Sequence, residues 1–311
     1  MASVRQHYLD AEWYGNAWNR YRDQPITTDR PNYNDTLESL RSSVASAQPV
    51  VFTAWTENEI LRALKLADEL SLNVIISGAV EAWRVADALR AADQPVLVSL
   101  DLRPRQGPVG FGGGTGTDPI ENPTSEDLDD AKANAGRLYS AGVTVAFTAA
   151  GLDHPSNYLE NFRAVVDAGM SQDGALRALT ITPAEILGVD GALGSLDVGK
   201  AANVVAIEGD LFDEHAHVAA VWVDGTRYDG ELETEAGQGP DSNDDETRND
   251  AENIKSRSEF ERRAPIGPLG GEVPVTAVRH GTILTAVNDT ISRGTVLIED
   301  GKITAVGPDA Q

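Results

Sequence analysis

The sequence predicts an α/β protein in which parallel strand–helix units are followed by smaller all-β segments. Three observations carry this. Short β-branched runs alternate with amphipathic stretches from about residue 36 to 187. Beyond that point the pattern changes to short strands closed by tight Asp-Gly turns. Neither region contains a run of about 18 apolar residues, the length a membrane span needs.

Residues 1–36 read as a helix and a polar loop, with Tyr8, Trp13, Tyr14, Trp18 and Tyr21 spaced as a packing face. Thr36–Ala47 is an opening helix, followed by a strand at Pro49–Thr53. Thr56-x-x-Glu59 is a capping box for a helix whose stripe is Ile60, Leu61, Leu64, Ala67 and Leu70. The second strand is Asn73–Ser77, and Ala82, Val85, Ala86 and Leu89 form the next helical face. Pro95–Leu100 is the third strand and Val143–Phe147 the fourth, with a helix begun by Ser125-x-x-Leu128 between them. Helices at roughly 155–168 and 171–180 follow; Thr182-Pro183 opens a last short one, with Pro183 at its first position and Gly188 as its stop. Four such units fit one half of an eight-stranded barrel. A doubly wound dinucleotide fold is the rival, but no G-x-G-x-x-G follows any strand. The Gly-rich stretch Gly107–Gly116 lacks the Gly-Lys-Ser/Thr ending of a phosphate loop and reads as a long loop over the strand ends.

The remaining organisation is read from composition. Residues 189–228 form a β unit ending in the hairpin Asp224-Gly225. Residues 229–271 are acidic, almost free of apolar side chains, and read as a disordered linker. Residues 272–311 are a second β unit, with strands at Val275–Val278, Thr282–Ala286, Gly294–Ile298 and Lys302–Val306 and a turn at Glu299-Asp300-Gly301. His280 is expected in a turn.

Charge excludes several functions. Lys+Arg 25 against Asp+Glu 49 leaves −24, which argues against nucleic acid and anionic membranes as partners. The absence of cysteine removes disulfides and thiolate-held metals. Only Lys65, Lys132, Lys200, Lys255 and Lys302 are lysines, and carboxylates are spread along the chain. Such a surface suits high salt, where the Debye length falls to about 3 Å at 1 M, so a halophilic protein is expected. The first residues lack a signal-peptide core, so a cytoplasmic location is expected.

The stretch Ala175–Gly188, then Gly194-Ser195-Leu196-Asp197-Val198-Gly199-Lys200-Ala201-Ala202-Asn203-Val204-Val205, and the closing Val221-Trp222-Val223-Asp224-Gly225 resemble the C-terminal end of the metal-dependent amidohydrolase superfamily, nearest its imidazolonepropionase-like branch. Ile283-Leu284-Thr285 and Gly294–Gly307 resemble the opposite, N-terminal end of such a module. The resemblance implies a partial (β/α) barrel of the TIM type, its second half over 37–188. Small β-sandwich segments flank an acidic linker, as though one module's end were joined to the start of a second. It implies hydrolysis of non-peptide C–N bonds, an amide or a cyclic amide, with Zn or Fe in active relatives.

The ligands implied for this half are a His after each of two successive strands and an Asp after the last. The matching positions hold Thr53, Ser77 or Gly78, and Ala150, which are poor or absent donors. No cofactor is therefore expected in this chain, and no catalytic residue is assigned. Trp55, Glu81, Trp83, Asp101 and His154 are the candidates for lining the mouth; the tryptophans are expected to pack, Asp101 to be a solvated loop acid and His154 to sit in the loop leading into a helix. His7 is expected on a helix surface. His215-x-His217 imitates a metal motif but falls between sandwich strands, where two exposed loop histidines are expected. Two expectations concern assembly. The β segments 194–228 and 275–306 are expected to pair into one sandwich. The open half-barrel needs a homodimer or an N-terminal amidohydrolase half to cover its edges. The competing reading is a catalytically silent scaffold or ligand-binding module that partners an active one.

Overall fold

A computed structural model describes residues 2–104, 119–120, 123–229 and 275–309. The Gly-rich stretch Gly107–Gly116 and residues 230–271 of the expected linker lie outside the described residues. The chain divides into two compact units, Met1–Asp190 and Gly191–Gln311.

The first unit opens with α1 (Ala2–Asp23), whose Tyr8, Ala11, Tyr14 and Ala17 are buried, so the aromatic spacing is a packing face. α2 (Asp35–Val44) starts one residue earlier than expected because the Asn34 side chain accepts from the Leu37 N–H. Four parallel strands follow: β1 (Val50–Ala54), β2 (Val74–Gly78), β3 (Val96–Ser99) and β4 (Val145–Thr148). They pair in sequence order, and among the described residues β1 pairs only with β2 and β4 only with β3. An α/β architecture with a four-stranded parallel sheet and separate antiparallel sheets is thus what the sequence forms.

Each crossover has a local cause. α3 (Glu57–Leu70) is anchored by Glu59, whose Oε2 accepts from the Trp55 and Thr56 N–H groups at 2.9 and 3.2 Å. The helical face at Ala82–Leu89 splits into a 3-10 turn (Ala82–Val85) and the short α4 (Ala86–Ala91), with Ala82, Val85 and Leu89 buried. α5 (Ser125–Ser140) is capped by Thr124 rather than begun by Ser125: Thr124 Oγ1 accepts from the Asp127 N–H, and Asp127 accepts in return from Thr124. α6 (Asn157–Asp167), α7 (Gln172–Leu179) and α8 (Ile181–Leu187) complete the unit. Pro183 is the third residue of α8, not the first; its missing N–H still falls among first-turn donors that have no helical partner. Gly188 ends that helix at φ +68°.

The core lies between sheet and helices. Val74, Ile76, Val96, Val98 and Leu100 are buried with Ile60, Leu66, Leu89, Leu138 and Phe162. Phe147 meets Phe162 edge-on at 5.7 Å. Each such side chain contributes about 1.5–3 kcal/mol by leaving water.

The second unit holds two antiparallel sheets. One is β5 (Val204–Glu208), β6 (His217–Val223) and β7 (Thr226–Asp229); the other is β8 (Thr276–Ile283), β9 (Ile291–Glu299) and β10 (Lys302–Pro308), ordered β10-β9-β8. Asp224-Gly225 and Asp300-Gly301 all have positive φ, as a two-residue hairpin turn requires. The separate strands expected at 275–278 and 282–286 are one strand, β8. Register shifts around Gly281 absorb the residue that reads as a turn, with His280 at φ +66°. The two sheets share one core: Ala202, Val204, Ala220 and Trp222 pack with Ile283, Val296, Ile298 and Ile303. Backbone bonds join them directly, from Ala202 N–H to Gly301 O at 2.8 Å and from Ile303 N–H to Lys200 O at 2.9 Å.

Candidate functional site

In sheets of parallel β/α units, the loops after the strands carry the chemistry. Here the register sets Thr53 beside Ser77 and Ser99 beside Thr148. Thr53 is exposed and Ser77 buried, and neither hydroxyl has an imidazole or carboxylate beside it in that row. Gly78, at φ +96°, lies under the Trp55 ring; a Cβ there would be 2.9 Å from the indole. Ala150 contributes its carbonyl, which accepts from Ser99 Oγ at 2.5 Å.

The expected mouth residues separate. Trp55 is buried against Val80 and Ala131, a packing role. Glu81 accepts from the Glu57 N–H at 2.9 Å, at the start of α3. The Trp83 ring is flanked by the guanidinium groups of Arg84 and Arg137, each 4.5 Å from its centroid, and the Trp83 backbone N–H donates to the Oδ1 of the buried Asn134. His154 is exposed, and its carbonyl accepts from Asn157 as the chain enters α6. None of these four lines the cavity described below.

Asp101 does line it, and corrects the expectation of a solvated acid: it is 2% exposed. Its partner is Arg103, two residues on, which folds back so that Nε and Nη2 donate to the two carboxylate oxygens at 2.6 and 2.9 Å. The same guanidinium reaches the loop after β4, donating from Nη1 to Asp153 at 2.7 Å and from Nη2 to Gly151 O at 2.9 Å. Hydrogen bonding to Asp101, first of all, pushes the guanidinium pKa above even its ordinary high value, so the cation is permanent. The fork thus ties the loops after β3 and β4 together across the sheet end.

Below this clamp, α5 and α6 leave a cavity of about 360 Å³ between their facing stripes. Sequence reasoning missed Arg103, Asp153, Lys132 and Glu160, all of which line it. The available signal was Asp-x-Arg directly after an apolar strand, together with Leu128 and Lys132 one turn apart on α5.

The divalent metal that the resemblance implies does not fit these residues. The strand-end positions offer hydroxyl, glycine and methyl groups, and the carboxylates of Asp101 and Asp153, on the loops after β3 and β4, are committed to Arg103. Among the described residues no group of three or more His, Asp or Glu side chains could hold an ion. The His215-x-His217 motif does not converge: His217 lies 3.3 Å from Glu208 on the neighbouring strand, and His215 beside Glu214. His7 contacts the Ser3 carbonyl within α1.

Residues 116–230 match the amidohydrolase family. The solved amidohydrolase from Thermotoga maritima MSB8 is similar in fold, with a TM-score of 0.59 and 22% identity; the match covers 73% of this chain and 54% of that one. At the level of individual relatives, the chain is 42% identical over 57 residues to the putative N-acetylgalactosamine-6-phosphate deacetylase of Escherichia coli (strain K12). That match covers 18% of this chain and 31% of the relative. The N-acetylgalactosamine-6-phosphate deacetylase of Escherichia coli O157:H7 matches at the same identity and length, over 14% of its own chain. The chain therefore spans well under two thirds of the proteins it resembles. No helix among the described residues is long and apolar enough to cross a membrane.

Proposed function

We propose that this chain is the second half of an amidohydrolase-type barrel, from a lineage that hydrolyses non-peptide C–N bonds such as the amide of an N-acetyl group, and that it is catalytically silent on its own. The observation that carries this reading is the Asp101–Arg103–Asp153 clamp. Where a hydrolase of this kind needs a cation that polarises water, the mouth holds a guanidinium already satisfied by two carboxylates and a carbonyl. A saturated guanidinium has no open coordination position and cannot lower the pKa of a bound water as a divalent metal does. The open edges of β1 and β4 support a completing partner, either a second copy or an N-terminal amidohydrolase half. The low lysine content and the excess of carboxylates support a salt-adapted setting.

The test is metal analysis of chelator-free protein for Zn and Fe, beside turnover of an N-acetylhexosamine 6-phosphate and of a cyclic amide. Substoichiometric metal and no turnover are expected. Stoichiometric metal with metal-dependent turnover by the lone chain overturns the reading.

A second reading, a ligand-binding module, is favoured by one observation: the cavity between α5 and α6 survives beside a mouth without ligands for a metal.

A further inference from the structure

The polar groups around that cavity fall into two sets. Asp101, Arg103 and Asp153 are spent on one another, and the Asn161 amide donates to Leu100 O at 2.7 Å. Lys132 on α5 and Glu160 on α6 are different. Both line the cavity, yet among the described residues neither has a hydrogen-bond or ion-pair partner, and they do not pair with each other. Lys132 is half-buried and Glu160 is exposed. Leu102, Leu128 and Leu152 supply apolar wall between the two charges.

We propose that this cavity binds a small zwitterion with an aliphatic body, that is, a free α-amino acid of about leucine size. Lys132 takes the carboxylate, Glu160 the ammonium, and the leucines the side chain. The charge arrangement selects against simpler ligands. A monoanion that reaches Lys132 also meets the Glu160 carboxylate, and a monocation that reaches Glu160 meets Lys132. Only a molecule carrying both charges satisfies both walls, and a cavity near the small end of ordinary ligand sites suits one compact molecule. The inference rests on the ligand-binding reading above and uses no metal.

Isothermal titration of the full chain with L-leucine, isoamylamine and 4-methylpentanoate tests it. Saturable leucine binding is expected, with each single-charge analogue weaker by about tenfold or more. Lys132→Met should weaken leucine binding and strengthen isoamylamine binding; Glu160→Gln should weaken leucine binding and strengthen 4-methylpentanoate binding. Lys132 is half-buried and Glu160 exposed, and an unchanged melting temperature confirms that each variant folds. No saturable binding at millimolar leucine, or an analogue binding as tightly as leucine, overturns the proposal. Because binding is read directly, failure here leaves the metal and turnover result standing, and the reverse is also true.

Discussion

Two aspartates in this protein are held by cations, and they behave differently because the cations differ. Asp101 is buried and forked by Arg103 at 2.6 and 2.9 Å. Asp309, just past β10, accepts from Thr295 Oγ1 at 2.5 Å, lies 2.6 Å from His280 Nδ1 and 3.4 Å from Arg293 Nε. Hydrogen bonds from Thr295 and then His280 hold the Asp309 carboxyl down at about 2. In the first arrangement the donor is a guanidinium, which keeps its proton throughout the working range. In the second, a hydroxyl and an imidazole converge on a half-buried aspartate and hold its pKa below the ordinary value. Two clusters with matching distances therefore differ in the chemistry of their donors.

The sharpest way to break this contrast is Arg103→Met. It removes the forked partner of the buried Asp101 carboxylate, and loss of one partner of a buried pair costs about 3–5 kcal/mol. Because the Arg103 side chain is 40% exposed, the low end, about 3 kcal/mol, is expected. Urea unfolding near neutral pH measures it, and a change within error would mean that water already serves Asp101.

Asp309→Asn addresses the other cluster. An aspartate whose folded pKa is depressed adds stability that is complete above its unfolded value near 3.8 and is lost as pH falls toward about 2. The variant should therefore show a flatter dependence of urea midpoint on pH between those limits, and a lower midpoint above them. An unchanged acid slope would remove Asp309 from the account. The smallest effect belongs to the outer arm of the first cluster. Asp153 is 65% exposed, so Asp153→Asn should cost about 0.5 kcal/mol at low ionic strength and nothing measurable in 1 M KCl. A loss that persists in salt would show that the arm is less accessible than its geometry indicates.

Much of the architecture is written in local patterns. Strands β2, β3 and β4 follow from apolar, largely β-branched runs, because a strand buried on both faces has no room for alternation, whereas β1 alternates with Val51 and Thr53 exposed. The two hairpins follow from Asp-Gly pairs whose backbone must turn left-handed. Strand β8 was less legible. His280-Gly281 carries turn chemistry, and only pairing with β9 converts it into a bulge within a continuous strand. That Thr53, Ser77, Gly78 and Ala150 carry poor donors was legible from their side chains alone. What occupies the mouth was not. Asp101 looks like a loop acid until Arg103 is seen to fold back and meet Asp153, some 50 residues away in sequence. Lys132 and Glu160 share a wall only because α5 and α6 pack with those stripes facing.

Trp55 lying on Gly78 has a consequence for how this lineage can change. Any side chain gained at 78 begins in van der Waals collision with an indole and on a left-handed backbone. Placing a side chain there takes at least two coupled substitutions, one of which shrinks the buried Trp55 and loosens the structure. Position 78 is thus closed to change in a single step, and variation is expected to be tolerated elsewhere on the surface first.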